Sequence, residues 1–165
     1  MQPRPLILTP LPGIPLVHAG DSLADIILEA LARAEITLED GDILVLAQKI
    51  VSKSEGRLVN LNAYVPSSEA LRLAQETEKD PRLVEAILQE SACVLRSRPG
   101  TIIVEHRLGF VCASAGVDHS NASLDPALDH RTTAADDWLL LLPENPDLSA
   151  RHLQAALEAA SGKRL

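Results

Sequence analysis

The chain has 165 residues, of which 46% are hydrophobic, and its formal net charge at neutral pH is −8. This length and apolar content predict a single globular domain with a sizeable core and exclude a disordered chain. The acidic charge balance and an aromatic content of 2% exclude the basic surface and base-stacking platforms typical of nucleic-acid-binding proteins. We therefore expect no nucleic acid among its partners.

The cysteines and the apolar runs indicate in which cellular compartment the protein is expected. Cys93 and Cys112 are the only cysteines, which predicts reduced core thiols rather than a disulfide framework or a zinc site. No apolar run reaches the length of a membrane span, and the sequence lacks the pattern of a secretory signal peptide. We therefore expect a cytoplasmic protein that does not interact with a membrane.

The first predicted elements are a short strand, a rigid turn and a helix. The apolar run at 6–9 predicts the strand, and three prolines with a glycine in 10–16 predict the turn. Ser22 with Asp25 resembles a capping box. Because apolar residues then recur at helical spacing, 22–34 is predicted as an amphipathic helix.

The rest of the chain alternates between strand and helix patterns. A continuous apolar run at 43–47 predicts a strand buried on both faces. Further strands are predicted at 57–61, 94–96, 101–105 and 110–113, and an apolar run resumes at 139–142. Helices are predicted at 68–79, at 81–90 behind an Asp80 N-cap, and from an Asp147 or Ser149 cap to Gly162.

These elements predict an α+β or mixed α/β fold, in which helices pack on a mixed sheet. We expect residues 1–165 to form one domain. The stretch 122–138 is polar and irregular apart from its end, and stretches of that length without regular structure are uncommon. It is therefore predicted to be an irregular surface insertion.

Two stretches carry residues suited to chemistry. In the first, an apolar strand runs through Ala115-Gly116 into Asp118 and Asn121, a carboxylate and an amide that suit a metal-bound phosphate. In the second, Gln48, Lys49 and Lys53 follow the run at 43–47, and two ammonium groups suit a polyphosphate. Lysines at the end of a strand are also often merely solvated, and this alternative stays open for Lys49, as it does for Arg57.

Blocks in a fixed order along the chain resemble coenzyme F420-0:γ-glutamyl ligases. They are 13–16, 41–57, 79–82, 90–91, 109–112, 115–121 and 142–147. The resemblance implies the N-terminal part of the γ-glutamyl ligase fold. It also implies an amide ligase that adds L-glutamate to coenzyme F420-0 with GTP, assisted by two divalent cations, Mg²⁺ or Mn²⁺, with K⁺ as a further cation, in a homodimer.

The resemblance also implies roles for individual residues. The first nucleotide-contacting loop matches Gly13, Ile14, Pro15 and Leu16, and the second set of nucleotide contacts matches Gln48, Lys49 and Lys53. Asn121 matches a further nucleotide contact, and Asp118 matches a metal ligand. No residue is assigned as catalytic.

Two departures from the family leave two hypotheses open. Members of the family continue into a strand with an Asp-Thr pair and a long second half that carries further metal ligands, and the 122–138 stretch is longer here. The chain is thus either the N-terminal portion of a working ligase or a non-catalytic nucleotide-binding or assembly module. The sequence directly after Leu165 distinguishes the two.

Overall fold

The computed structural model describes residues 6–119 and 137–165. Within these ranges there are five α-helices, two single-turn 3-10 helices and five strands. The α-helices are α1 (Leu23–Arg33), α2 (Gln48–Ser54), α3 (Ser68–Thr77), α4 (Pro81–Gln89) and α5 (Pro146–Ser161). The strands are β1 (Leu58–Asn60), β2 (Ser91–Arg98), β3 (Thr101–His106), β4 (Val111–Ala113) and β5 (Trp138–Leu140).

The strands form two separate sheets. β2, β3 and β4 make one sheet in that order, and β1 pairs with β5 in the other. Each of these pairings between described strands is antiparallel. The predicted α+β class, with helices packed against sheet, is confirmed. The single mixed sheet is wrong for the described residues, because their strands pair antiparallel in two separate sheets.

Two hydrophobic clusters hold the helices in place. Along β3 every second side chain points inward, because side chains alternate between the faces of a strand. Ile102 and Val104 therefore pack against α3 and α4, where Leu73 and Ile87 are fully buried. A second cluster joins α1 to α5, with Leu157 of α5 at its centre.

The predicted helix starts are confirmed with one correction. The side chains of Ser22, Ser67 and Asp80 cap α1, α3 and α4 by accepting hydrogen bonds from backbone N–H groups. The cap of α5 is Asn145, whose Oδ1 accepts from the Leu148 N–H at 3.0 Å. Neither Asp147 nor Ser149 is the cap, because Pro146 already occupies the first helical turn.

Two predicted strands are wrong. Residues 6–9 and 43–47 belong to no strand of either described sheet. Ile43 and Val45 are 86% and 89% exposed, whereas Leu44 and Leu46 pack against the α1–α5 cluster. The run at 43–47 is therefore covered on one face only, and it leads directly into α2, a helix that the sequence pattern did not predict.

The other predicted strands are present with small shifts of their ends. β2 is longer than expected and contains two register irregularities, while β5 begins at Trp138, the last residue of the predicted insertion. The rest of that insertion, except Asp137, lies outside the described residues. Both cysteines are free, but Cys93 is exposed rather than in the core. No helix in the described ranges is long and apolar enough to cross a membrane.

Candidate functional site

Asp118 is placed by a left-handed turn after β4. Ser114, Ala115 and Gly116 all have positive φ angles, of 49°, 52° and 67°. This conformation is unfavourable for residues with a side chain, yet Ala115 is held in it by packing in the core at 1% exposure. The turn reverses the chain so that Asp118 lies beside β5.

Both backbone groups of Asp118 pair with the same residue of β5. The Asp118 N–H donates to the Leu140 carbonyl, and the Leu140 N–H donates to the Asp118 carbonyl, each at 2.9 Å. Its carboxylate is 2.5 Å from Lys49 Nζ, and the two side chains are 19% and 40% exposed. The structure thus joins two residues from separate stretches of the sequence.

Lys49 and Lys53 lie on one face of α2, because residues four apart are neighbours on a helix. Gln48 begins this helix, and its Nε2 donates to Ser52 Oγ at 2.5 Å and to the Leu141 carbonyl at 3.4 Å. Gln48 therefore ties α2 to the residues that follow β5. Three of the predicted site residues, Gln48, Lys49 and Asp118, are consequently linked through α2 and β5.

The opposite face of α2 lines a groove of about 890 Å³. Its walls are mainly apolar and include Leu44, Leu46, Phe110 and Leu142. Its polar lining includes the carboxylates Asp21, Glu55 and Glu144. Because this acidic lining is unfavourable for a polyphosphate, the lysine face of α2 is the better candidate for phosphate contact.

The loop of Gly13, Ile14, Pro15 and Leu16 lies at the end of α1. The Gly13 carbonyl accepts a hydrogen bond from Arg33 Nη2 at 3.2 Å, and Leu16 is 56% exposed. The contact that fixes this loop is therefore with α1, and its predicted role at the nucleotide stays a prediction. Asn121 lies outside the described residues, so its role also stays a prediction.

A buried charged cluster was missed by the sequence reasoning. Glu90, 6% exposed, receives two hydrogen bonds of 3.0 Å from Arg57 Nη2. For Arg57 the alternative of a solvated charge is therefore wrong. Beside this pair, burial lowers the pKa of His106. The signal was present in the block at 90–91, but a buried glutamate is recognisable only from its tertiary partners.

The described residues offer a metal ion one carboxylate rather than a complete ligand set. Mg²⁺ and Mn²⁺ take about six ligands, mostly oxygens. No group of three His, Cys, Asp or Glu side chains converges in the parts of the chain that the structure describes, and the carboxylate of Asp118 already faces Lys49. These residues do not by themselves fit a two-metal site, so no reaction step is assigned to a metal here.

Comparison with known proteins shows the family of this chain. A model of the F420-0:Gamma-glutamyl ligase family matches residues 13–165. The chain is 46% identical over 154 residues to a protein of Methanothermobacter thermautotrophicus named coenzyme F420:L-glutamate ligase, covering 93% of this chain and 56% of that protein. Proteins of the same name from Methanopyrus kandleri and Methanosarcina mazei are 43% identical over 157 residues and 40% identical over 152 residues.

The match covers 95% of this chain and 56% of the Methanopyrus kandleri protein, and 92% of this chain and 53% of the Methanosarcina mazei protein. The chain thus spans about half the length of the curated relatives that it matches. Since the family model covers nearly all of this chain, the chain belongs to the F420-0:γ-glutamyl ligase family.

Proposed function

We propose that this chain is part of an enzyme that joins L-glutamate to coenzyme F420-0, with GTP as the source of free energy. The observation that supports the proposal best is the convergence of Lys49 and Asp118, 2.5 Å apart, in a chain whose relatives are named coenzyme F420:L-glutamate ligases. A cation and a carboxylate held together by α2 and β5 suit the binding of a charged substrate.

The reaction requires that a carboxylate be activated before an amine can attack it. In the proposed sequence, the carboxylate of F420-0 attacks the γ-phosphorus of GTP, which forms an acyl phosphate and releases GDP. The amine of glutamate then attacks the acyl carbon, the amide bond forms, inorganic phosphate leaves, and the nitrogen loses a proton. Lys49 and Lys53 would offset the repulsion between the triphosphate and the attacking carboxylate.

Asp118 is proposed as a single ligand of Mg²⁺ or Mn²⁺. A divalent cation near the phosphates would supply charge neutralisation. Its remaining ligands would come from phosphate oxygens, water and polypeptide beyond the described residues. K⁺ stays part of the proposal only through the resemblance to the family.

The proposed activity is tested by glutamate-dependent GTP hydrolysis and amide formation. We expect the 165-residue chain alone to bind GTP weakly and to form no product. Addition of the polypeptide that corresponds to the rest of a relative should restore turnover, because phosphoryl transfer needs all its charged groups in place together. Turnover by the chain alone would contradict the incomplete site and would point to Asp136, Asp137 or Glu144 as additional ligands.

The second candidate function is a non-catalytic nucleotide-binding or assembly module. The observation that favours it is that no group of three His, Cys, Asp or Glu side chains converges on a metal position among the described residues. In the same assay, GTP binding that persists without turnover, even with the complementing polypeptide present, would establish this alternative and exclude the ligase.

We also propose that the protein acts in the cytoplasm as a homodimer. Support for the dimer comes from large apolar side chains in two segments without regular secondary structure, namely Leu6, Ile7, Leu8, Ile43 and Val45, each at least 77% exposed. Large exposed apolar side chains that are close in sequence are typical of surfaces covered by association. Light scattering at micromolar concentration should give twice the mass of the chain, and a soluble monomer would contradict the dimer.

A further inference from the structure

The buried pair of Arg57 and Glu90 connects distant parts of the fold to the candidate site. Glu90 ends α4 directly before β2, and Arg57 directly precedes β1. Both oxygens of the Glu90 carboxylate are 3.0 Å from Arg57 Nη2. Its Oε2 is also 3.1 Å from Arg107 Nη2. The carboxylate is therefore held by two cations, which compensates the cost of burying its charge.

Arg57 also holds the polypeptide that leaves β5. Its Nε donates to the Leu142 carbonyl at 2.9 Å, and its own carbonyl accepts from the Leu141 N–H at 3.1 Å. The guanidinium also reaches Glu144 Oε1 at 3.4 Å. The side chain and main chain of this one residue thus fix two successive residues after β5.

The same short segment carries the contacts of the candidate site. Leu140 makes both backbone hydrogen bonds to Asp118, and the Leu141 carbonyl accepts from Gln48. Residues 140–142 therefore connect Arg57 on one side with Asp118 and Gln48 on the other. A displacement of this segment would change the position of both predicted site residues.

His106 completes the cluster on its inner side. Its Nδ1 accepts a hydrogen bond from the Leu108 N–H at 3.0 Å, so the proton of the neutral ring is on Nε2. Nε2 lies 3.7 Å from Glu90 Oε2, beyond hydrogen-bond distance. The ring stacks on Phe110 with 4.9 Å between centroids, and its Nε2 edge lies close to the Glu90 carboxylate.

We propose that Arg57 and Glu90 are positioning residues for the candidate site: Glu90 orients Arg57, and Arg57 fixes residues 140–142, which hold Asp118 and Gln48. This inference rests on the proposed function for its catalytic meaning. This positioning requires the planar guanidinium of Arg57, which donates to Glu90 from Nη2 and to the Leu142 carbonyl from Nε. A lysine ammonium is a single point charge and cannot make both contacts in this geometry.

Amide hydrogen exchange of the 165-residue chain tests the positioning directly. Arg57→Lys keeps the positive charge but removes the planar guanidinium. Glu90→Gln keeps the shape of the side chain but removes its negative charge. In either variant we expect the Asp118, Leu140 and Leu141 amides to exchange about tenfold faster or more, while the amides of β3 stay within about twofold. Arg72→Lys, which alters an exposed arginine paired with Glu69 and Glu76, is the control and should change none of these amides.

Mn²⁺ binding to the same variants separates this inference from the proposed function. In the Arg57 and Glu90 variants we expect faster exchange of the Asp118, Leu140 and Leu141 amides together with about tenfold weaker Mn²⁺ binding. If the unaltered chain binds neither Mn²⁺ nor GTP even with the complementing polypeptide, the proposed function fails while the exchange data still decide the positioning. Should the single variants not fold, the double variant Arg57→Met with Glu90→Leu, which leaves neither charge buried, takes their place. Unaltered exchange at Asp118 and Leu140 in a folded variant would overturn the inference.

Discussion

Asp118→Asn is expected to weaken Mn²⁺ binding by at least about tenfold, a change of about 1.4 kcal/mol in binding free energy. The substitution keeps the size of the side chain but removes the charge that a hard cation requires. The backbone bridge to Leu140 is unaffected, because it is made by main-chain groups. Isothermal titration calorimetry with Mn²⁺ alone, and then with Mn²⁺ and GTP, measures the effect.

Two matched variants make this result specific. Asp25→Asn removes a carboxylate from the exposed first turn of α1 and should leave Mn²⁺ affinity unchanged. Lys49→Met removes the ammonium that pairs with Asp118, so it should strengthen Mn²⁺ binding and weaken GTP binding. Equal Mn²⁺ affinity in the unaltered chain and in Asp118→Asn would mean that Asp118 has only a structural role in the turn after β4 and binds no metal ion.

Gly116→Ala is expected to lower the free energy of unfolding by about 2 to 5 kcal/mol. About 1–2 kcal/mol comes from a side chain at positive φ, and about 1–3 kcal/mol from overpacking. At φ +67° the new Cβ would lie 2.7 Å from Leu142 Cδ1 and 3.0 Å from its Cγ. Urea unfolding followed by circular dichroism measures the loss.

Gly109→Ala is the matched control for this substitution. Gly109 has a similar φ of +86°, but an added Cβ would meet nothing within 4 Å. It should therefore lose only the backbone contribution, about 1–2 kcal/mol. Equal losses in the two variants would show that the contact with Leu142 is unimportant, whereas a larger loss for Gly116→Ala locates the effect at the segment that supports Asp118.

The sequence predicted four of the five α-helices, all except α2, because their signals are local. Ser22 and Asp80 act through hydrogen bonds within a few residues. The prediction of a buried strand at 43–47 was wrong, because a strand forms only with a partner strand. The apolar pattern of a single segment does not identify such a partner. Likewise, the pattern selected Lys49 and Asp118 as site residues but did not predict their ion pair, which depends on the left-handed turn after β4.

Arg57 illustrates the limit of reasoning from residue type. An arginine after a glycine is equally compatible with a solvated surface and with a buried pair. The outcome depends on Glu90, which is 33 residues away along the chain. Burial of a charge is a property of the assembled fold, so it becomes visible only when both partners are in place.

The double hydrogen bond between Asp118 and Leu140 fixes Asp118 by contacts that do not involve the polypeptide between the two residues. The chain leaves the side of β5 at Asp118 and returns at Leu140, so the two ends of the intervening polypeptide are fastened together. Each doubling of such a loop costs only about 0.6 kcal/mol in closure entropy. Insertions before β5 that leave Trp138 and Leu139 paired with β1 should therefore leave the acidic side chain in place.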